Sequence, residues 1–210
     1  MRRILRYTLT ERLVHWAAGL SYVYLLLTGL AFWSPTLFWL TVFTGGGAAA
    51  RAWHPWAGLL FAAAVARMYE LWRRDMRATE YDRAWNRAMG AYVRNEDENL
   101  PPAGRFNPGQ KMLFWVMFWG GAVLLVSGIV LWFPEYVPWN WRAVRAAAVL
   151  VHAGAALVTI GAFIVHVYMG AAVVRGGFTS IIRGEVTEDW ARAHHPLWLA
   201  EVSREPGRKQ

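Results

Sequence analysis

Cysteine is absent from this 210-residue chain. Without a thiolate there is no disulfide, no cysteine-held iron–sulfur cluster and no Cys-x-x-Cys-His attachment of a c-type haem, so any redox group must be held by nitrogen. Carboxylates are scarce where the chain is apolar: the long hydrophobic stretches hold almost none except Glu70, near a boundary. That weighs against a proton relay, which would use carboxylates as well as histidines. Large polar pieces are few too, the longest being residues 73–109 and 175–210, and neither suggests a soluble catalytic domain. No internal repeat or low-complexity tract stands out, and Gly45-Gly46-Gly47 reads as a loop marker.

What is abundant is apolar surface, at 56% hydrophobic residues. A helix crossing a bilayer needs about 20 largely apolar residues, and four stretches meet that length, at about 13–33, 53–72, 110–132 and 143–174. They lack the period-2 alternation of a transmembrane barrel, so the expected fold is all-α, an integral membrane four-helix bundle forming one domain over residues 1–210. Arginines set its orientation. Arg2, Arg3, Arg6 and Arg12 precede the first stretch, seven lie from Arg73 to Arg105, and five with Lys209 follow the fourth, whereas the other connections carry only Arg51, Arg142 and Arg145. The positive-inside rule then makes both termini, the 73–109 loop and the 175–210 tail cytoplasmic. Trp16, Trp72 and Trp115 mark one interface and Trp33, Trp53, Trp132 and Trp139 the other. On this reading the net charge of +8 reflects topology and attraction to anionic membrane lipid, with no nucleic-acid footprint. The first stretch is expected to be a retained helix, because its apolar core is too long for a signal peptide and no small-x-small cleavage site precedes Trp33-Ser34-Pro35.

Against that background the histidines carry the chemistry. His15 opens the first stretch on the inner side, His54 opens the second on the outer side, and the fourth holds both His152 and His166. The last two are separated by fourteen residues, which on a helix is about 21 Å and within about 40° of one face. By depth, only His54 with His152 and His15 with His166 can meet across one porphyrin, giving two bis-histidine haems b. Four positions beyond each histidine stands a small residue, Gly19, Gly58, Ala156 or Gly170, leaving space for a macrocycle on that face. Small residues are also common at membrane helix contacts, and a single intramembrane histidine often serves only an interhelical hydrogen bond. Zinc would require three or four ligands at one depth.

Several segments extend this pattern: Arg6-Tyr7-Thr8 with Glu11-Arg12-Leu13-Val14-His15-Trp16, Trp53-His54, Arg105-Phe106-Asn107-Pro108-Gly109-Gln110-Lys111 with Phe114-Trp115, and Trp190-Ala191-Arg192 with His194-His195-Pro196-Leu197-Trp198. Along nearly its whole length the chain resembles the cytochrome b (gamma) subunit of membrane-bound respiratory formate dehydrogenase. The resemblance implies four transmembrane helices and two haems on His54 with His152 (outer) and His15 with His166 (inner). It also implies two partners, an outer-side iron–sulfur subunit and a molybdenum- or tungsten-containing formate dehydrogenase catalytic subunit. Electrons from formate would pass inward to a quinone, ubiquinone or menaquinone, reduced near the cytoplasmic face with cytoplasmic protons. No residue of this chain would be catalytic toward formate. The quinone would lie at Asn107, Gly109 and Gln110 beside His166, and such complexes can form higher-order oligomers. The same three residues also suit a helix start, with Asn107 as N-cap, Pro108 at the first helical position and Gln110 closing a capping box.

Other residues admit weaker readings. Arg67 could pair with a haem propionate or extend to the cytoplasmic headgroups, and it lies about 220° around the helix from His54. Arg51 is better placed for an outer propionate. His194 and His195 are expected to be packing or surface residues, and Leu37 to Phe43 an interfacial or partner-docking stretch. Two alternatives stay open: the cytochrome b of a membrane-bound hydrogenase or other molybdoenzyme, and a cofactor-free membrane anchor or transporter.

Overall fold

The structure is a computed structural model, and it describes residues 2–94 and 100–204. Lys209, part of the charge pattern, lies outside the described residues. Among these residues four helices reach 25 residues or more: α1 (Leu9–Trp33), α2 (Gly46–Trp72), α5 (Pro108–Trp132) and α6 (Arg142–Tyr168). Shorter helices are α3 (Glu80–Arg87), α4 (Met89–Val93), α7 (Gly177–Arg183), α8 (Glu188–His194) and α9 (Pro196–Arg204). At 1.5 Å per residue the long helices run about 38–40 Å, more than the roughly 30 Å of a hydrocarbon core. Leu9–Trp33, Pro108–Trp132 and the stretch Trp139–Val173 are long and apolar enough to cross a membrane. Helix α2 has the length but is not among them; it carries Arg51, Arg67 and Glu70.

Local chemistry sets the ends. Thr8 and Glu11 open α1 as a capping box, the Thr8 N–H donating to Glu11 Oε2 at 2.8 Å and the Glu11 N–H to Thr8 Oγ1 at 3.3 Å. The helix stops at Trp33, ahead of Pro35, where a 3-10 helix runs from Pro35 to Thr44. Gly45 and Gly46, at φ of 85° and 90°, then turn the chain in a conformation other residues rarely adopt. Helix α2 therefore begins at Gly46, seven residues before the apolar stretch that starts at Trp53. Helix α6 passes at its end into a π-helical turn, Met169–Val173.

The chain forms two compact units, one of residues 1–13, 70–115 and 164–210, the other of 14–69 and 116–163. In the second, Ala18 and Tyr22 of α1 and Phe61, Ala64 and Val65 of α2 form a buried cluster, with Met117 and Phe118 of α5 and Phe163 of α6 packed on it. The Tyr22 ring lies 5.3 Å from Phe61 and 5.0 Å from Phe163.

The first unit departs from the sequence expectation of a plain loop and tail. Residues 73–109 include α3 and α4, and residues 175–204 include three helices and a strand. The Thr79–Asp82 capping box starts α3 and Trp85, 2% exposed, anchors it. Lys111 of α5 reaches back to Asp82 at 3.0 Å and to the Arg77 carbonyl. Burial opposes the Asp82 charge, but the Thr79 N–H and the Lys111 ammonium outweigh it and hold the carboxyl below its ordinary range. An antiparallel ribbon pairs β1 (Arg3–Leu5) with β2 (Glu185–Thr187), Ile4 facing Val186. It adds a small strand element to an otherwise helical chain, and Val186, Ala191 and Trp198 form the core beneath it.

Candidate functional site

Each long helix contributes one residue to a polar cluster inside the second unit. Thr28 of α1 sits beside His54 of α2, with Oγ1 and Nδ1 2.6 Å apart. Ser127 of α5 sits beside His152 of α6, with Oγ and Nδ1 3.0 Å apart. The two imidazoles face each other with ring centroids 6.4 Å apart and planes at 57°.

A hydroxyl has one proton to donate. Thr28 Oγ1 also lies 2.8 Å from the Tyr24 carbonyl and Ser127 Oγ 2.6 Å from the Val123 carbonyl, so each hydroxyl can give its proton to its own helix. In that arrangement the oxygen accepts from Nδ1–H and Nε2 keeps its lone pair. Glycines keep the rings clear. A Cβ on Gly29 would stand 3.8 Å from His54 Cε1, and one on Gly128 only 3.3 Å from His152 Cε1. Phe32 packs on His54 at 5.5 Å.

This pair fits a metal bound from both sides. With a metal–imidazole bond of about 2.0–2.1 Å and about 1.1 Å more to the ring centre, two imidazoles across one metal have centroids roughly 6.3 Å apart. Among the described residues no three His, Asp or Glu side chains converge. Two imidazoles alone suit a metal whose other ligands come from a macrocycle.

The remaining predicted positions fall elsewhere. His15 stands early in α1 within the second unit, edge-on to Trp16 at 5.9 Å, and His166 stands late in α6 within the first. Asn107 and Gln110 form the reciprocal box that starts α5: the Asn107 N–H donates to Gln110 Oε1 at 2.9 Å and the Gln110 N–H to Asn107 Oδ1 at 3.0 Å. The box uses the oxygen of each amide, whose NH2 group is the donor left for a ligand. Gly109 lies beside it, where a Cβ would make ordinary contacts with Asn107 Oδ1 at 3.4 Å and Met89 Sδ at 3.5 Å. Arg51 is exposed and lines a cleft with Phe32, Pro35 and Phe38, while Arg67 is exposed on α2.

His195 is buried to 2% exposure and is a packing residue. Its Nδ1 donates to the Gly104 carbonyl at 2.7 Å and its Nε2 accepts from Arg6 at 3.0 Å. Burial, and then the Arg6 charge, push its pKa well below the usual histidine range. Arg6, itself 1% exposed, is flanked by Tyr7, Trp190 and Trp198 at 4.8 to 5.3 Å. Nearby, Arg105 joins Glu11 at 2.7 Å and Asp75 at 3.0 Å, and the Trp72 indole donates to Glu11 at 2.6 Å.

Thr28 and Ser127 escape a search for titratable residues, but the sequence does mark them. Thr28-Gly29-Leu30-Ala31-Phe32-Trp33-Ser34-Pro35 corresponds position by position to Ser127-Gly128-Ile129-Val130-Leu131-Trp132-Phe133-Pro134. The histidine partner follows 26 residues later in one case and 25 in the other. The two octets share the glycine, tryptophan and proline, with a hydroxyl residue at the head of each.

The model of the prokaryotic cytochrome b561 family matches residues 6–184. The cytochrome b556(fdo) subunit of formate dehydrogenase from Escherichia coli K12 is 33% identical over 207 residues, covering 98% of this chain and 96% of the relative. The chain belongs to the family of formate dehydrogenase cytochrome b subunits. The nitrate-inducible cytochrome b556(Fdn) subunit from the same strain is 30% identical over 209 residues, and the cytochrome b556 subunit from Haemophilus influenzae Rd is 32% identical over 199. As a cytochrome b561-family member, this cytochrome b subunit is a multi-pass protein of the bacterial inner membrane, serves electron transport and takes haem b as its cofactor class.

Proposed function

We propose that this chain is the two-haem electron conduit and membrane anchor of a formate dehydrogenase complex. All four long helices span the bilayer, with both termini and residues 73–109 and 175–210 on the cytoplasmic side, as the arginine distribution requires. His54 and His152 hold the outer haem b, and His15 and His166 the inner. Haem, when bound, supplies the one-electron couple that the side chains lack. The observation that carries the reading is the convergence of His54 and His152, each fixed through Nδ1 by a hydroxyl from a neighbouring helix.

The partners are an outer iron–sulfur subunit, which delivers electrons, and a molybdenum- or tungsten-containing formate dehydrogenase catalytic subunit. No residue here is catalytic toward formate. At the inner end the amide NH2 groups of Asn107 and Gln110 donate to a quinone carbonyl, with Gly109 between them in the chain. Arg51, which lines a cleft with Phe32, would be the residue to pair with an outer propionate.

Purification of the complex from native membranes tests the reading. Formate should reduce the b-type absorption, and a formate-oxidising subunit should co-purify. Reduction by hydrogen and not by formate would assign the chain to a hydrogenase instead.

A further inference from the structure

Hydroxyls in membrane helices ordinarily bond to the carbonyl one turn back, and Ser21 does so here. Thr28 and Ser127 make the same bond and in addition lie within hydrogen-bond distance of a histidine Nδ1, so each stands between a backbone carbonyl and an imidazole. Their placement is matched: one on α1 and one on α5, each followed by a glycine beside the ring it holds. Given haem ligation by His54 and His152, we propose that Thr28 and Ser127 are positioning residues that fix the ligand tautomer and set the potential of the outer haem.

The physical reasons are two. First, Nδ1–H bonded to the hydroxyl leaves Nε2 as the only ring nitrogen with a lone pair, so both rings are ready for an iron without tautomer exchange. Second, an accepted N–H bond pushes electron density onto the ring, strengthens its donation and favours oxidised iron. A neutral hydroxyl does this without placing a carboxylate in the membrane interior, where charge is costly. Because both hydroxyls already donate to a carbonyl, they are polarised toward accepting.

The test is a redox titration of the detergent-extracted chain, followed by its b-type absorption, with low-temperature EPR of the oxidised low-spin signals. Thr28→Val and Ser127→Ala are each expected to move one haem's midpoint positive and to shift its g-values. Both should act on the same haem and leave the other unmoved, and Thr28→Ser and Ser127→Thr should restore wild-type values. Loss of that haem alone supports the assignment equally. Should an apolar variant fail to fold, Thr28→Cys and Ser127→Cys read the same shift with a weaker acceptor. Unchanged midpoints and g-values with haem retained would overturn it, leaving the two hydroxyls as bonds within their own helices. A wild-type chain free of b-type haem would fail the ligation reading itself, before any variant is made.

Discussion

The imidazoles of His54 and His152, on α2 and α6, lie with centroids 6.4 Å apart and each has its Nδ1 within hydrogen-bond distance of a hydroxyl on a neighbouring helix. In the proposed haem site each ring would supply its Nε2 to one iron. His152→Ala removes one of these nitrogens and none from the other level. The variant is expected to keep one haem of two per chain, read by pyridine haemochrome. Loss of both haems from a folded protein would contradict the pairing.

The box at the start of α5 separates capping from ligand contact. In Gln110→Glu a carboxylate oxygen still accepts the Asn107 N–H, so the helix start survives, but the NH2 donor is gone. Thermal stability should hold within about 0.5 kcal/mol, while the KM for a soluble quinol reducing the haem rises several-fold. Gln110→Ala should also lose about 1 kcal/mol of stability as the box opens. Equal quinol kinetics in wild type and Gln110→Glu would confine Gln110 to capping.

Glu11 receives Arg105, the Trp72 indole and Thr8 together, and its side chain is 6% exposed. Asp75, the other partner of Arg105, is 32% exposed. Breaking a buried pair from one side costs about 3–5 kcal/mol, against about 0–1 for an exposed one. Glu11→Gln should therefore lower the thermal midpoint of the detergent-solubilised chain clearly more than Asp75→Asn does. The reverse order would show that Arg105 depends mainly on Asp75.

His195 gives a pH signature. Folded, it stays neutral because burial and Arg6 disfavour its charge; unfolded, it takes up a proton near the ordinary histidine value of 6.5. Below that pH the unfolded state binds more protons, so stability falls as pH drops through the window from 6.5 down to the depressed folded value. His195→Gln cannot titrate, and its midpoint-versus-pH slope between about pH 6.5 and 5 should be shallower than that of wild type. Equal slopes would mean that other groups dominate the acid response.

The sequence exposes the parts of this design that are chemically costly. Ionisable groups in apolar stretches are costly, so four histidines at two depths, His15, His54, His152 and His166, stand out. Asn107 and Gln110 announce the start of α5 because caps have a fixed spacing. Thr28 and Ser127 do not stand out, since a hydroxyl that can bond to its own helix costs little in a membrane and its second bond exists only in the fold. Only the repeated hydroxyl-glycine pair, with Trp and Pro at matching distances, marks them. The beginning of α2 is obscured because three glycines read as loop, whereas Gly45 makes the turn and Gly46 already starts the helix. Helix α3 is hidden by its polarity, with Trp85 as its one strong anchor. Strands of three residues are too short to show a period.

The central claim is that this chain carries two haems b. A dithionite-reduced minus oxidised spectrum of the purified chain, with pyridine haemochrome quantification per polypeptide, tests it directly. Two b-type haems per chain are the expected result, and a folded chain from haem-replete cells that binds none would contradict it.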